Sequence, residues 1–203
     1  MILSRADSRE LTAIMPPKIE LAFPHQYEVE VLDTSVNERP VRIPASPEEV
    51  DSILVKVTPA DSTPWVGSFA RGFATDDLVS GVYAWPDGES LAVVSAGYGY
   101  VLKAADSGRN WVRLQPMPIT DVRTMPDAKL ILFADFTHIY AFGPERSAWK
   151  SERLSWDGVT ITEVATNHVF GLAWDAMQDK EVEFVIDVRT GEHTGGARPW
   201  AKR

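Results

Sequence analysis

Cysteine is absent from the 203 residues, which removes disulfide scaffolds, thiolate zinc sites and cysteine nucleophiles together and suits a reducing cytoplasm. Long apolar runs are missing as well. Nowhere do about eighteen apolar residues follow one another, so no membrane-spanning helix and no membrane partner is expected. Arg5, Asp7, Arg9 and Glu10 interrupt the apolar residues near the start, leaving no secretory core. The expected location is cytoplasmic. Basic residues are outnumbered, 20 Lys and Arg against 29 Asp and Glu, for a formal charge of −9. Phosphate neutralisation needs a basic face that this balance does not supply, so nucleic acid is not an expected partner.

Catalytic and cofactor motifs are equally scarce. The four histidines, His25, His138, His168 and His193, have no ligand spacing between them, and neither a metal nor another cofactor is expected. No Gly-x-Ser-x-Gly elbow presents Ser68 or Ser95 as a nucleophile. Gly97-Tyr98-Gly99 lacks the third glycine and the following helix of a dinucleotide loop, and reads as a hairpin turn between strands. Asp87 and Asp127 occupy equivalent Pro-Asp turns, which argues against a paired acid and nucleophile.

What is present is turn chemistry. Eight of the 14 prolines fall in residues 1–80, where they exclude long helices and punctuate short extended segments. Tyr27 to Leu32 alternates glutamate with valine, the pattern of a half-buried strand. Ser46-Pro47-Glu48-Glu49 offers a capping box for one short helix. The β-branched residues Ile53, Val55 and Val57, followed by Pro59, favour a strand over continuation of that helix.

From Gly81 the pattern is a meander. Val82–Trp85, Leu91–Ser95 and Tyr100–Leu102 are separated by Pro86-Asp87-Gly88 and Gly97-Tyr98-Gly99. Val122–Met125, Leu130–Ala134 and Ile139–Phe142 follow with the same punctuation, Val82 matching Val122 and Asp87 matching Asp127 at an offset of 40. A looser third unit places Leu154–Trp156 and Val159–Ile161 about Asp157-Gly158 as a hairpin, then Phe170–Trp174 and Val182–Val188. Uninterrupted apolar runs such as Leu91–Val94 predict strands covered on both faces. The expected fold is therefore all-β, with antiparallel four-stranded sheets repeating at about 40 residues in an incomplete propeller-like or a sandwich-like arrangement, and at most one short helix. Residues 1–80 are expected to form a proline-rich β region packed on or completing three blade-like units at 81–118, 119–155 and 156–196, all within one compact domain.

Ala104-Ala105-Asp106-Ser107-Gly108-Arg109-Asn110-Trp111 resembles the Asp-box of sialidase-like and photosystem-assembly-factor-like propellers, with Asp106, Gly108 and Trp111 at the matching places. Ala104 and Asn110 depart from the pattern. The resemblance covers eight residues and implies a structural hairpin between third and fourth strands, away from any catalytic face.

Candidate binding residues come from turns and tryptophans. If the units stack, Asp135, His138 and Asp175 gather on one rim, where they would bind a cation or polarise a ligand; turn aspartates also bond their own backbone, which is the competing role. Of the seven tryptophans, Trp65 in Thr-Pro-Trp and Trp200 near the basic end are the candidates for exposure, where flat rings grip sugars or protein partners. Arg109, Arg113, Arg123, Arg146 and Arg153 are scattered rather than grouped as a sialidase requires. The expected function is non-enzymatic binding or scaffolding, with a protein partner or a small polar ligand. A glycan-binding or sialidase-like protein is the alternative, and a homodimer joined through sheet edges is compatible with both.

Overall fold

A computed structural model describes residues 17–33, 39–44, 51–75 and 77–197. The Ser46–Glu49 capping box and Trp200 lie outside the described residues. Among the described residues the chain is all-β, with one 3-10 turn at Ala104–Asp106.

Four sheets carry the fold. The first contains β2 (Tyr27–Leu32), β3 (Val41–Ile43), β4 (Ser52–Pro59) and β5 (Trp65–Ala70) in the order β2-β4-β5-β3. The second is a meander of β6 (Gly81–Ala84), β7 (Ser90–Ser95), β8 (Tyr98–Lys103) and β9 (Trp111–Arg113), widened by β1 (Lys18–Glu20), which pairs parallel to β6. The third holds β10 (Asp121–Met125), β11 (Leu130–Ala134), β12 (Ile139–Gly143) and β13 (Arg146–Lys150). The fourth holds β14 (Val159–Val164), β15 (His168–Asp175), β16 (Lys180–Asp187) and β17 (His193–Gly195). Apart from β1 on β6 and β3 on β5, every pairing is antiparallel.

The side-chain period of two explains how the sheets stack. Leu91 and Val93 join Val55, Val57, Trp65 and Phe69 in a core between the first and second sheets. Their neighbours Ala92 and Val94 point the other way, into a core with Ile131 and Phe133 of the third sheet. Leu132 and Ala134 then face Val169, Ala173, Phe184 and Ile186 of the fourth. β7 and most of β11 are buried on both faces, as their apolar runs predict. Among the described residues the sheets therefore pack in a row, first to fourth, with the second and third covered on both faces.

The structure bears out the strand reading at one place and corrects the local reading at two. Residues 52–59 are strand, paired with β2 and β5, so the helical alternative for this segment is excluded. The β7–β8 turn sits one residue earlier than expected, on Ala96 and Gly97, whose φ values of 44° and 81° suit a primed hairpin turn. Asp157-Gly158 closes no hairpin, because Leu154–Trp156 is not a strand. Leu154 is fully buried between the third and fourth sheets, and its N–H donates to the Thr137 carbonyl. Residues 151–158 are instead the connector between those sheets.

Candidate functional site

Asp135 lies at the end of β11, where the chain turns towards β12. Its Oδ1 accepts the backbone N–H groups of Thr137 and His138, each at 2.7 Å, and the Thr137 hydroxyl at 2.9 Å. Its Oδ2 accepts the Tyr140 hydroxyl at 3.0 Å. His138 Nδ1 stands 3.7 Å from Oδ1 and 2.7 Å from the Thr137 hydroxyl. Burial raises the cost of ionising Asp135, but hydrogen bonds from His138 and Thr137 outweigh it and hold the carboxyl well below the usual carboxylate range. Burial, reinforced by the neighbouring carboxylate, pushes the Tyr140 phenol up. The geometry is that of an aspartate saturated by its own turn.

Asp175 has a parallel arrangement on the fourth sheet. It accepts the Met177 N–H at 2.9 Å and the Gln178 side chain, and the Gln178 bond is the main cause of its lowered pKa. The structure thus brings Asp135 and His138 together, while the recorded partners of Asp175 all belong to its own turn. Among the described residues no group of three or more His, Asp and Glu side chains is placed to hold a metal ion.

Trp65 corrects its sequence-based placement. It is the first residue of β5, only 7% exposed, and its indole N–H donates to the Ala104 carbonyl at 2.8 Å. Asp106, Gly108 and Trp111 lie between or on β8 and β9. Asp106 accepts the Asn110 side chain at 3.1 Å, and Ser107 and Gly108 take positive φ. Trp111 packs edge-on against Tyr100 at the first core. Three of those arginines have separate partners: Arg113 lies over the Tyr98 ring, Arg123 donates to Asp121 and to the Ile161 carbonyl, and Arg153 donates to the Ser155 and Trp156 carbonyls.

One concavity was not evident in the sequence. An open groove of about 710 Å³ runs between the third and fourth sheets, lined by Asp127, Trp149, Asn167, His168, Asp187 and Arg189 among others. Trp149 is half-buried on β13, its N–H donating to the Val188 carbonyl at 2.7 Å. Gly191, with φ of 75°, lies so close to this indole that a Cβ would meet it at 2.8 Å. His168, Asn167 and Arg189 are exposed at the walls, whereas Asp187 is committed to the N–H groups of Arg189 and Thr190. The available signal was a tryptophan on the fourth strand of consecutive sheets, Trp111 and then Trp149.

No family model matches the chain, and a search of curated proteins found no match. Solved structures give distant resemblances. A chain titled as a eukaryotic initiation factor matches at 14% identity and a TM-score of 0.38, over 72% of this chain and 40% of its own. The N-terminal domain of Nup159 matches at 13% identity and a TM-score of 0.41, over 88% of this chain and 52% of its own. A chain from the S. cerevisiae complex of Dbp5 with Nup159, Gle1, IP6 and ADP gives 12% identity and the same TM-score, over 88% and 51%. This chain spans about half the length of these structures or less.

Proposed function

We propose that the protein is a non-enzymatic binding or scaffolding module that acts through a propeller-like β surface. The observation that carries this reading is the groove between the third and fourth sheets, with the half-buried Trp149 indole at its wall and Asn167, His168 and Arg189 exposed beside it. A flat apolar ring with polar groups around it is the arrangement that anchors a protein segment. The favoured occupant is a segment presenting one apolar side chain to Trp149 and an acidic group to Arg189. The carboxylates that sequence marks as chemically interesting, Asp135 and Asp175, are engaged by their own turns, which supports binding rather than acid–base work. The eight-residue Asp-box resemblance at Asp106, Gly108 and Trp111 supports the propeller-like description and has no bearing on activity.

Peptides selected by display against the protein, then mapped by hydrogen exchange, test the reading. Binding should protect residues 147–150, 166–168 and 187–189. Protection confined to other surfaces would sink it. A sugar ring is the second reading, favoured by the same indole lying beside Asp127 and Asn167. Saturable binding on a glycan array, with no peptide selected, would move the ranking to it.

A further inference from the structure

The groove beside Trp149 continues along the gap between the third and fourth sheets. A second hollow of about 340 Å³ adjoins it, walled by Met125 and Val164 among others, and the two share Asp127, Ala128 and Thr166. Strand order sets them in line: Met125 and Val164 end the first strands of their sheets, while Trp149 lies on the last strand of the third. Asp127, on the turn that joins β10 to β11, stands between the two ends. From that turn to Trp149 is roughly two to three strand spacings of ~4.8 Å, or about three to four residues of extended chain at ~3.3 Å each.

Asp127 differs from its counterpart one sheet earlier. Asp87 Oδ1 accepts the Glu89 and Ser90 N–H groups at 2.9 and 2.8 Å, and its Oδ2 accepts the Ser90 hydroxyl at 2.7 Å. Where Ser90 follows Asp87, Leu130 follows Asp127 at the same distance along the chain, with no hydroxyl to donate. Among the described residues no hydrogen bond or ion pair engages the Asp127 carboxylate, which is exposed where the hollows join. Asp187, the other groove carboxylate, is held by the N–H groups of Arg189 and Thr190 and by the Thr190 hydroxyl. Lys129 and Glu145, on neighbouring turns, line neither hollow. The groove thus offers a carboxylate midway and, at the Trp149 end, the Arg189 guanidinium next to the Val188 carbonyl that Trp149 engages.

We infer that the occupant of this groove is an extended peptide segment carrying charge of both signs. It sets an acidic side chain at Arg189, an apolar one on Trp149 and, about three to four residues away, a lysine or arginine at Asp127. This rests on the reading of the groove as a peptide-binding surface, and adds to it the second charge and the spacing. Beyond the basic residue the segment runs into the second hollow, where Met125 and Val164 offer an apolar wall to a small side chain. Unlike charges along the groove also fix the direction of the segment. Reversed, it would oppose its acid to Asp127 and its base to Arg189, and repulsion would reject it.

Random peptides displayed against the 203-residue chain test this, with affinities then measured by calorimetry at low ionic strength, where exposed charges are least screened. Selected peptides should share an acidic residue beside an apolar anchor, and a Lys or Arg about three to four positions from that anchor. Asp127→Asn should weaken their binding about threefold and Asp127→Lys about tenfold. Melting temperatures should not change, because this carboxylate holds no bond in its own turn. Replacing the basic residue of the peptide by Glu should restore most of the affinity for Asp127→Lys. Peptides that protect the groove and lose affinity with Arg189→Glu, yet ignore both Asp127 substitutions, overturn the inference and leave the groove reading standing. Groove-binding peptides with no basic residue at that spacing do the same. If no peptide maps to the groove, or glycans alone bind there, both are overturned.

Discussion

The Tyr140 hydroxyl donates to Oδ2 of Asp135 at 3.0 Å, while the other oxygen of the same carboxylate holds the turn that precedes β12. One buried aspartate therefore ties the β11–β12 turn to the strand that leaves it. Its side chain is 11% exposed, so solvent screens little of the interaction.

Replacing Asp135 by Asn should destabilise the fold by about 1–3 kcal/mol, the usual cost of disrupting hydrogen bonds to a buried charged group. The folded carboxyl titrates below its unfolded value of ~3.9, so its contribution is complete above that value and is lost as pH falls through the depressed folded value. Urea midpoints measured from neutral to strongly acidic pH should fall more steeply for wild type than for Asp135→Asn. Parallel curves would show that the carboxylate does not hold the turn.

Trp65 joins two sheets rather than facing solvent. Trp65→Ala should cost about 3–5 kcal/mol through the cavity between the first and second sheets and the lost partner of the Ala104 carbonyl. Trp65→Phe should cost less. Gly108→Ala should also destabilise, because φ is 74° there and a Cβ would approach Val41 at 3.0 Å and Ile43 at 3.1 Å. Thermal melts of the three variants check this; a neutral Trp65→Ala would contradict the buried placement.

Lys129 adopts φ of 52° in the turn before β11, where the equivalent turn before β7 has Gly88 at 80°. Left-handed backbone strains a side chain by roughly 1–2 kcal/mol, partly offset by the chain entropy that glycine adds to the unfolded state. Lys129→Gly should therefore stabilise by roughly 0.5–1 kcal/mol in chemical denaturation. A loss of stability would mean that the lysine stem makes contacts outweighing the strain.

What the sequence revealed follows from how local each signal is. Pro86-Asp87-Gly88 carries its turn within a few residues: Asp87 accepts the Glu89 and Ser90 N–H groups and Gly88 takes positive φ. The sheets were legible for the same reason, since Leu91–Val94 and Leu130–Ala134 state in apolar residues that both faces are covered. Parallel additions were not legible. β1 on β6 and β3 on β5 are three-residue pairings between distant segments, with no periodicity long enough to announce them. Trp65 misled because Thr-Pro-Trp has the look of a loop, while the partner that buries the indole is 39 residues away. Leu154–Trp156 misled for a similar reason: its apolar residues fill the space between sheets without forming a strand. Of the candidate site, Asp135 and His138 were found as neighbours, but their mutual saturation depends on Thr137 and Tyr140 geometry that composition does not encode.

The central functional claim is that the groove between the third and fourth sheets is the binding surface. The most direct measurement is the affinity of a display-selected peptide for wild type and for Arg189→Glu, an exposed groove residue whose replacement leaves the packed sheets untouched. The account predicts at least a tenfold loss, about 1.4 kcal/mol, with an unchanged melting temperature. Equal affinity for both proteins would contradict it.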